Sequence, residues 1–273
     1  MALLFDSFWR ALAYCFRPKV LALSLLPLAV MAVLAWALQY LYWESAVAFV
    51  SQWMTSSGLM GRFWTWLSQL GSGNFAALLA PLIVLGAVIP VVVIVSLLGV
   101  AAFLTPVLVK IVRQQRFPDL EMKRGASFVR SLLWSLSSAL LALLALAVSS
   151  PLWLVPPLIL ILPPLIWGWL TYRVMAFDAL ADYASKQERE TLLRMHKMRL
   201  LIIGLIAGYL GAAPAIVWAS GVVFAAAFVV LIPVGIWIYT MILALSSLWF
   251  GHYCLTALEQ LRQAQAVPDV VDA

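Results

Sequence analysis

Charge is what this sequence has least of. Of 273 residues only 10% are Asp, Glu, Lys or Arg, against about 25% in an ordinary soluble domain, while 65% are hydrophobic. Such a chain cannot cover itself with polar surface, so lipid is the solvent its composition suits. Cysteine and histidine are nearly as scarce, at two each. Cys15 and Cys254 lie near basic flanks of the kind that face a reducing compartment, so no disulfide is expected, and two thiols alone do not make a metal site. His196 and His252 lack a second ligand at metal spacing such as His-x-x-x-His. No metal and no cofactor is therefore expected. The long apolar blocks contain no His, Asp or Glu, and there is no Gly-x-Ser-x-Gly elbow and no phosphate loop. No catalytic residue can be assigned, and the sequence reads as that of a non-enzyme.

What is present is a series of uncharged runs separated by basic segments. Residues 20–41 carry no charge and would extend about 33 Å as a helix, enough for a hydrocarbon core of about 30 Å. Pro27 lies inside this run and is expected to kink it. The next stretch, 42–73, mixes Trp43, Trp53, Trp64 and Trp66 with Gln52, Ser56 and Gln69, the pattern of an interfacial helix. Residues 74–109 form a second uncharged run. It is too long for the bilayer at about 54 Å, so it either projects or is divided by Pro81, Pro90 and Pro106. Residues 131–172 and 200–250 are two further apolar blocks, read as helical hairpins. The first holds Pro156-Pro157 and Pro163-Pro164, which disfavour a continuous helix. The second holds Gly204, Gly208 and Gly211 at helical steps, a smooth strip for close helix packing.

Basic segments at 110–130 and 173–199 separate these blocks, and a polar tail at 259–273 is expected to be disordered. Between Arg173 and Arg199, Asp182 with Lys186 and Glu190 with Arg194 stand four residues apart, the spacing of one long surface helix. The fold class is accordingly all-α integral membrane: two long transmembrane helices plus two Pro/Gly-broken helical hairpins, either re-entrant or crossing fully, in one polytopic domain over residues 1–258. Of 17 Lys and Arg residues only Arg62 lies between the first two spans. The positive-inside rule then puts both termini and both basic segments in the cytoplasm. The net charge of +6 follows from this distribution. It is matched to anionic lipid rather than nucleic acid, for which there is no groove-reading motif.

Three stretches carry a likeness to a known family: Phe-Trp-Arg-Ala-Leu with Arg-Pro-Lys-Val and Leu-Leu-Pro-Leu between Phe8 and Leu28, Ala-Ala-Phe-Leu-Thr-Pro from Ala101 to Pro106, and Trp169 through Arg199. In order and character they resemble the CysZ-type sulfate permeases and the wider etoposide-induced membrane protein superfamily, over a span from Phe8 to Leu258. The resemblance implies two spanning helices with two partly penetrating hairpins, a homo-oligomer in the bacterial inner membrane, and a small inorganic anion as partner beside the lipid bilayer. It also implies an anion site at a Pro-Gly-x-Arg-Arg turn. Here that turn reads Pro18-Lys19-Val20-Leu21-Ala22, so the arginine pair is absent. The Asn and Glu that the permeases tend to show two and seven residues after the later proline are Leu108 and Arg113. Arg17 and Lys19 are the residues left to meet an anion near the first turn, with Arg173 a third candidate at the edge of the first hairpin. The alternative is a structural or scaffolding membrane protein of the same fold without the anion site.

Overall fold

A computed structural model describes residues 2–56, 75–123, 125–219 and 221–266. Among them every regular element is helical: α1 (Ala2–Cys15), α2 (Pro18–Ser24), α3 (Leu26–Ser56), α4 (Phe75–Arg116), α5 (Phe128–Ser149), a 3-10 turn (Ser150–Leu154), α6 (Pro156–Ala181), α7 (Lys186–Met195), α8 (Lys197–Ala219) and α9 (Gly221–Ala266). The chain divides into two compact units, one of residues 1–25 with 101–273 and one of residues 26–100.

Prolines set several of the boundaries. Arg17 is extended and Pro18 opens α2 at a position where its missing N–H costs nothing. The helix is interrupted at Leu25, two residues before Pro27, as the kink expected in the first span requires. Pro156 and Pro157 likewise open α6 after the 3-10 turn. Pro163 and Pro164, however, sit inside α6, which runs unbroken to Ala181. The break in the first hairpin is therefore at Ser150–Val155, and the second proline pair is absorbed by the helix. The 42 residues of α4 also continue through Pro81, Pro90 and Pro106, giving about 63 Å of undivided helix.

Among the described residues three helical stretches are long and apolar enough to cross a membrane: Pro18–Met54, Val129–Leu154 and Leu231–Gln265. In the most apolar window of Val129–Leu154 only 11% of residues are buried. Leu132, Leu133, Leu136, Leu140 and Leu144 are all more than half exposed, a surface suited to hydrocarbon and not to water. Both hairpins of the sequence reading are present, as α5 with α6 and α8 with α9. The expected interfacial helix differs in its first part: α3 continues without a break through Tyr42 to Ser56, and residues 57–73 lie outside the described residues. In the unit of residues 26–100, Met54 and Ala80 form a small core flanked by Val47, Val50 and Leu79.

The larger unit is built on the C-terminal half of α9, where Leu248, Phe250, His252, Tyr253, Leu255 and Leu258 are fully buried. Helix α1 lies against it, with Trp249 Nε1 donating to the Leu4 carbonyl at 3.2 Å and Phe8 edge-on to Trp249. Helices α6 and α8 cross at glycine. A Cβ on Gly204 would stand 2.4 Å from the Gly168 carbonyl oxygen, and one on Gly168 would stand 2.6 Å from Leu205 Cα. Gly208 belongs to the same strip, but Gly211 faces open space. The basic segment 173–199 is three pieces, not one helix: α6 ends at Ala181, α7 starts at a Ser185 cap, and His196 separates α7 from α8. Asp182 and Lys186 consequently sit on different elements. The tail expected to be disordered from Glu259 is helical to Ala266; residues 267–273 lie outside the described residues.

Candidate functional site

Arg17 and Lys19 flank Pro18 at the α1–α2 junction and both are exposed. The Arg17 guanidinium lies 3.7 Å over the Tyr14 ring and hydrogen-bonds the side chain of Gln115 on α4. Lys19 projects outward from the same turn. Around this point the fold gathers residues that are remote in sequence. Arg10 binds Asp6 one helical turn earlier at 2.8 Å, and Arg116 of α4 reaches the same carboxylate at 3.5 Å. The hydrogen-bonded Arg10 guanidinium, aided by Arg116 and against some desolvation, holds Asp6 below its ordinary carboxylate value.

His252 is the buried centre of this group. Its ring is fully enclosed, stands edge-on to Tyr14 at 4.7 Å, and has Nδ1 at 3.4 Å from Arg116. Its Nε2 is buried with no hydrogen-bond partner. Arg116, Arg10 and Arg17 are near enough to act on it electrostatically, as is Asp6. Two guanidiniums, Arg10 and Arg116, thus share the Asp6 carboxylate, and Arg17 and Lys19 add exposed positive charge at the neighbouring turn. A cleft of about 280 Å3 opens beside Arg116, walled by Phe117, Asp119, Glu121, Glu259 and Arg262.

Arg173 lies elsewhere. It is half-buried on α6 between Trp134 and Trp169, at 4.4 and 5.1 Å from the ring centres, and its Nε has no partner. The Trp134 indole donates to its carbonyl at 3.1 Å. None of these neighbours belongs to the group around Arg17, and none of Arg17, Lys19 and Arg173 lines the cleft. His196 accepts from or donates to the Tyr253 hydroxyl at 2.8 Å, a structural bond between the α7–α8 junction and α9. Cys15 and Cys254 are free thiols in the core. Among the described residues no three His, Cys, Asp or Glu side chains come together as metal ligands.

A second polar cluster, not anticipated in the sequence, secures the basic segments. Glu188 is 7% exposed and accepts from Lys123 at 2.9 Å and from Arg262 at 3.0 Å. It also closes the capping box of α7: its carboxylate accepts from the Ser185 amide at 2.7 Å, and the Ser185 hydroxyl accepts from the Glu188 amide at 3.2 Å. Burial alone would raise the Glu188 pKa; Arg262, the Ser185 amide and Lys123 outweigh it and bring it down to about 2. Arg262 further donates to the carbonyls of Glu121 and Tyr183. Lys123, Gly125 and Ala126 lie alongside 181–184, with the Gly125 amide donating to the Ala184 carbonyl at 3.2 Å. A Cβ at Gly125 would stand 2.2 Å from that carbonyl oxygen. The Ser-x-x-Glu spacing was the one sequence signal for this cluster; for the group at His252 only the four-residue step from Asp6 to Arg10 was visible.

Long apolar helices that expose leucine outward, joined by basic segments folded on themselves, define a multi-pass membrane protein in contact with the lipid bilayer. The model of the family described as sulfate transporter CysZ/etoposide-induced protein 2.4 matches residues 7–220. That is more than half of the chain, and the chain belongs to this family. None of the curated proteins and none of the solved structures matches it. The match contains all three stretches on which the resemblance was read, though it ends before α9, where His252 and Arg262 stand.

Proposed function

We propose that this protein is a passive facilitator of small oxyanions of the sulfate type, acting as a homo-oligomer in a bacterial inner membrane with both termini and the two basic segments in the cytoplasm. The observation that carries this reading is the excess of guanidinium over carboxylate around His252. Arg10 of α1 and Arg116 at the end of α4 share Asp6, and Arg17 of the α1–α2 junction stands on the Tyr14 ring with Gln115 as its hydrogen-bond partner. Arginine presents paired donors in a plane that matches a tetrahedral oxyanion. A concentration of positive charge raises the local anion concentration without needing a tight site. Arg17 and Lys19, being exposed, make the first anion contact in this reading. They do so at the position where the family's arginine pair is replaced by Leu21 and Ala22, which implies a weaker site. Arg173, held between two indoles, takes no part in it.

Passive movement is supported by the absence of Asp and Glu from Val129–Leu154, which leaves no carboxylate relay there for protons. Glu44 lies past the middle of α3, whose 31 residues extend about 46 Å and so pass beyond the hydrocarbon core. The test is uptake into liposomes of purified protein, with labelled sulfate, phosphate and chloride compared in parallel. Sulfate entry above that of empty liposomes is expected. Entry equal to empty liposomes for all three anions would favour a scaffolding member of the fold instead.

A further inference from the structure

Helix α1 is too short to span, yet it carries a row of large aromatic side chains left exposed. Its 14 residues extend about 21 Å, short of a hydrocarbon core of about 30 Å. Leu4, Ser7, Ala11 and Cys15 recur at three- and four-residue steps and form its buried face. Phe5 and Trp9, one turn apart, are 61% and 64% exposed, and Phe16, just past the helix end, is 68% exposed. Asp6, Arg10 and Arg17 follow these three by one position each, so the charges make a separate edge beside the aromatic one.

The contacts of α1 fix how it lies. From Leu4 to Tyr14 the helix advances about 15 Å. Its partners on α9, Trp249 for Leu4 and His252 for Tyr14, stand only about 4.5 Å apart along that helix. On the α4 side, Asp6 and Arg17 are three turns apart but meet the adjacent residues Arg116 and Gln115. Helix α1 therefore crosses both long helices instead of running along them. Since α9 contains Leu231–Gln265, a stretch fit to cross a membrane, a helix lying across it lies in the membrane plane. Its depth follows from the chain: the turn at Phe16 and Arg17 leads directly into Pro18–Met54, another stretch fit to span. The charged edge engages Arg116, the last residue of α4 and so its point furthest from the uncharged run 74–109.

We infer that α1 is an in-plane interfacial helix docked on the lipid surface, with Phe5, Trp9 and Phe16 seated at the boundary between headgroups and acyl chains. Tryptophan and its aromatic neighbours are favoured at that depth, and a helix with apolar and charged edges is the element that lies there. Lipid covers a patch that would be an aggregation liability in water. The docking goes beyond the oxyanion movement proposed above and does not rest on it, because it needs only the aromatic edge.

Phe5→Cys, Trp9→Cys and Phe16→Cys, each carrying a nitroxide label, would be prepared as full-length protein in bilayers of phosphatidylglycerol and phosphatidylcholine. Collision rates with oxygen, which concentrates in lipid, and with a water-soluble nickel chelate give the depth of each label. Leu136→Cys, on the outward face of α5, is the lipid reference, and Gln187→Cys, exposed on α7, is the water reference. The unsubstituted protein, whose two thiols are buried, gives the blank, and thermal unfolding in detergent confirms that each variant is folded. The three α1 sites are expected to show an oxygen-to-nickel ratio several-fold above that at Gln187 and approaching that at Leu136. Ratios equal to that at Gln187 would overturn the inference by placing the aromatic edge in water. Low rates with both reagents, or dipolar broadening between labels on different copies, would overturn it too, by showing that protein covers the edge. Sulfate entry into liposomes is a separate readout, so failure here is distinguishable from failure of the transport reading.

Discussion

The residue with the most at stake is Glu188, a buried carboxylate that joins three segments through Lys123, Arg262 and the Ser185 amide. Removing its charge leaves two cations facing each other in a confined space. Glu188→Gln should cost about 3 kcal/mol, visible as a lower midpoint of thermal unfolding in detergent. The pH dependence has a definite sign. The folded-state pKa is depressed from 4.5 to about 2, so the stabilisation is complete above the unfolded value. It is lost as pH falls from about 4.5 towards 2. Unfolding midpoints measured across that window should fall more steeply for the wild type than for Glu188→Gln. Cys15 gives an independent check on burial. Desolvation pushes its thiol up to about 11, so maleimide should label it in denaturant but only slowly in the folded protein at neutral pH.

At the scale of elements, the glycines and prolines decide where helices meet and where they stop. Gly168 and Gly204 let α6 and α8 touch backbone to backbone. Gly204→Val should therefore separate them and lower thermal stability markedly, by about 1–3 kcal/mol for an overpacked contact. Gly211→Val, directed into open space, should leave it nearly unchanged; the same unfolding assay compares the two. The glycine spacing alone revealed this strip, because helical periodicity is local. It did not reveal the partner Gly168 or the outward position of Gly211, which depend on how α6 is placed. Proline was less reliable as a guide. Pro156 and Pro157 at a helix start agree with the elementary rule, but Pro163 and Pro164 within α6 do not interrupt it. A helix of 26 residues packed against α8 and α9 loses little from two missing donors if its remaining turns are held by neighbours.

For the whole molecule, apolar run length made the membrane class and the all-helical architecture readable, and the order of motifs made the family readable. Whether the first hairpin crosses was left open by the prolines between Pro151 and Pro164, and among the described residues Val129–Leu154 is long and apolar enough to span. The polar groups were harder still. Asp6, Arg116 and His252 come together only through the packing of α1, α4 and α9, and no spacing in the chain announces them. The group they form with Arg10 and Arg17 is the basis of the proposed activity, and it is tested most directly by the initial rate of labelled sulfate entry into liposomes. Wild-type protein is compared with the Arg17→Ala/Lys19→Ala double variant at equal incorporation. The account predicts entry well above empty liposomes for the wild type and a reduction of about tenfold or more in the double variant, the loss of two charge-assisted contacts at an exposed site. Equal rates for the two proteins, or no entry with either, would contradict it.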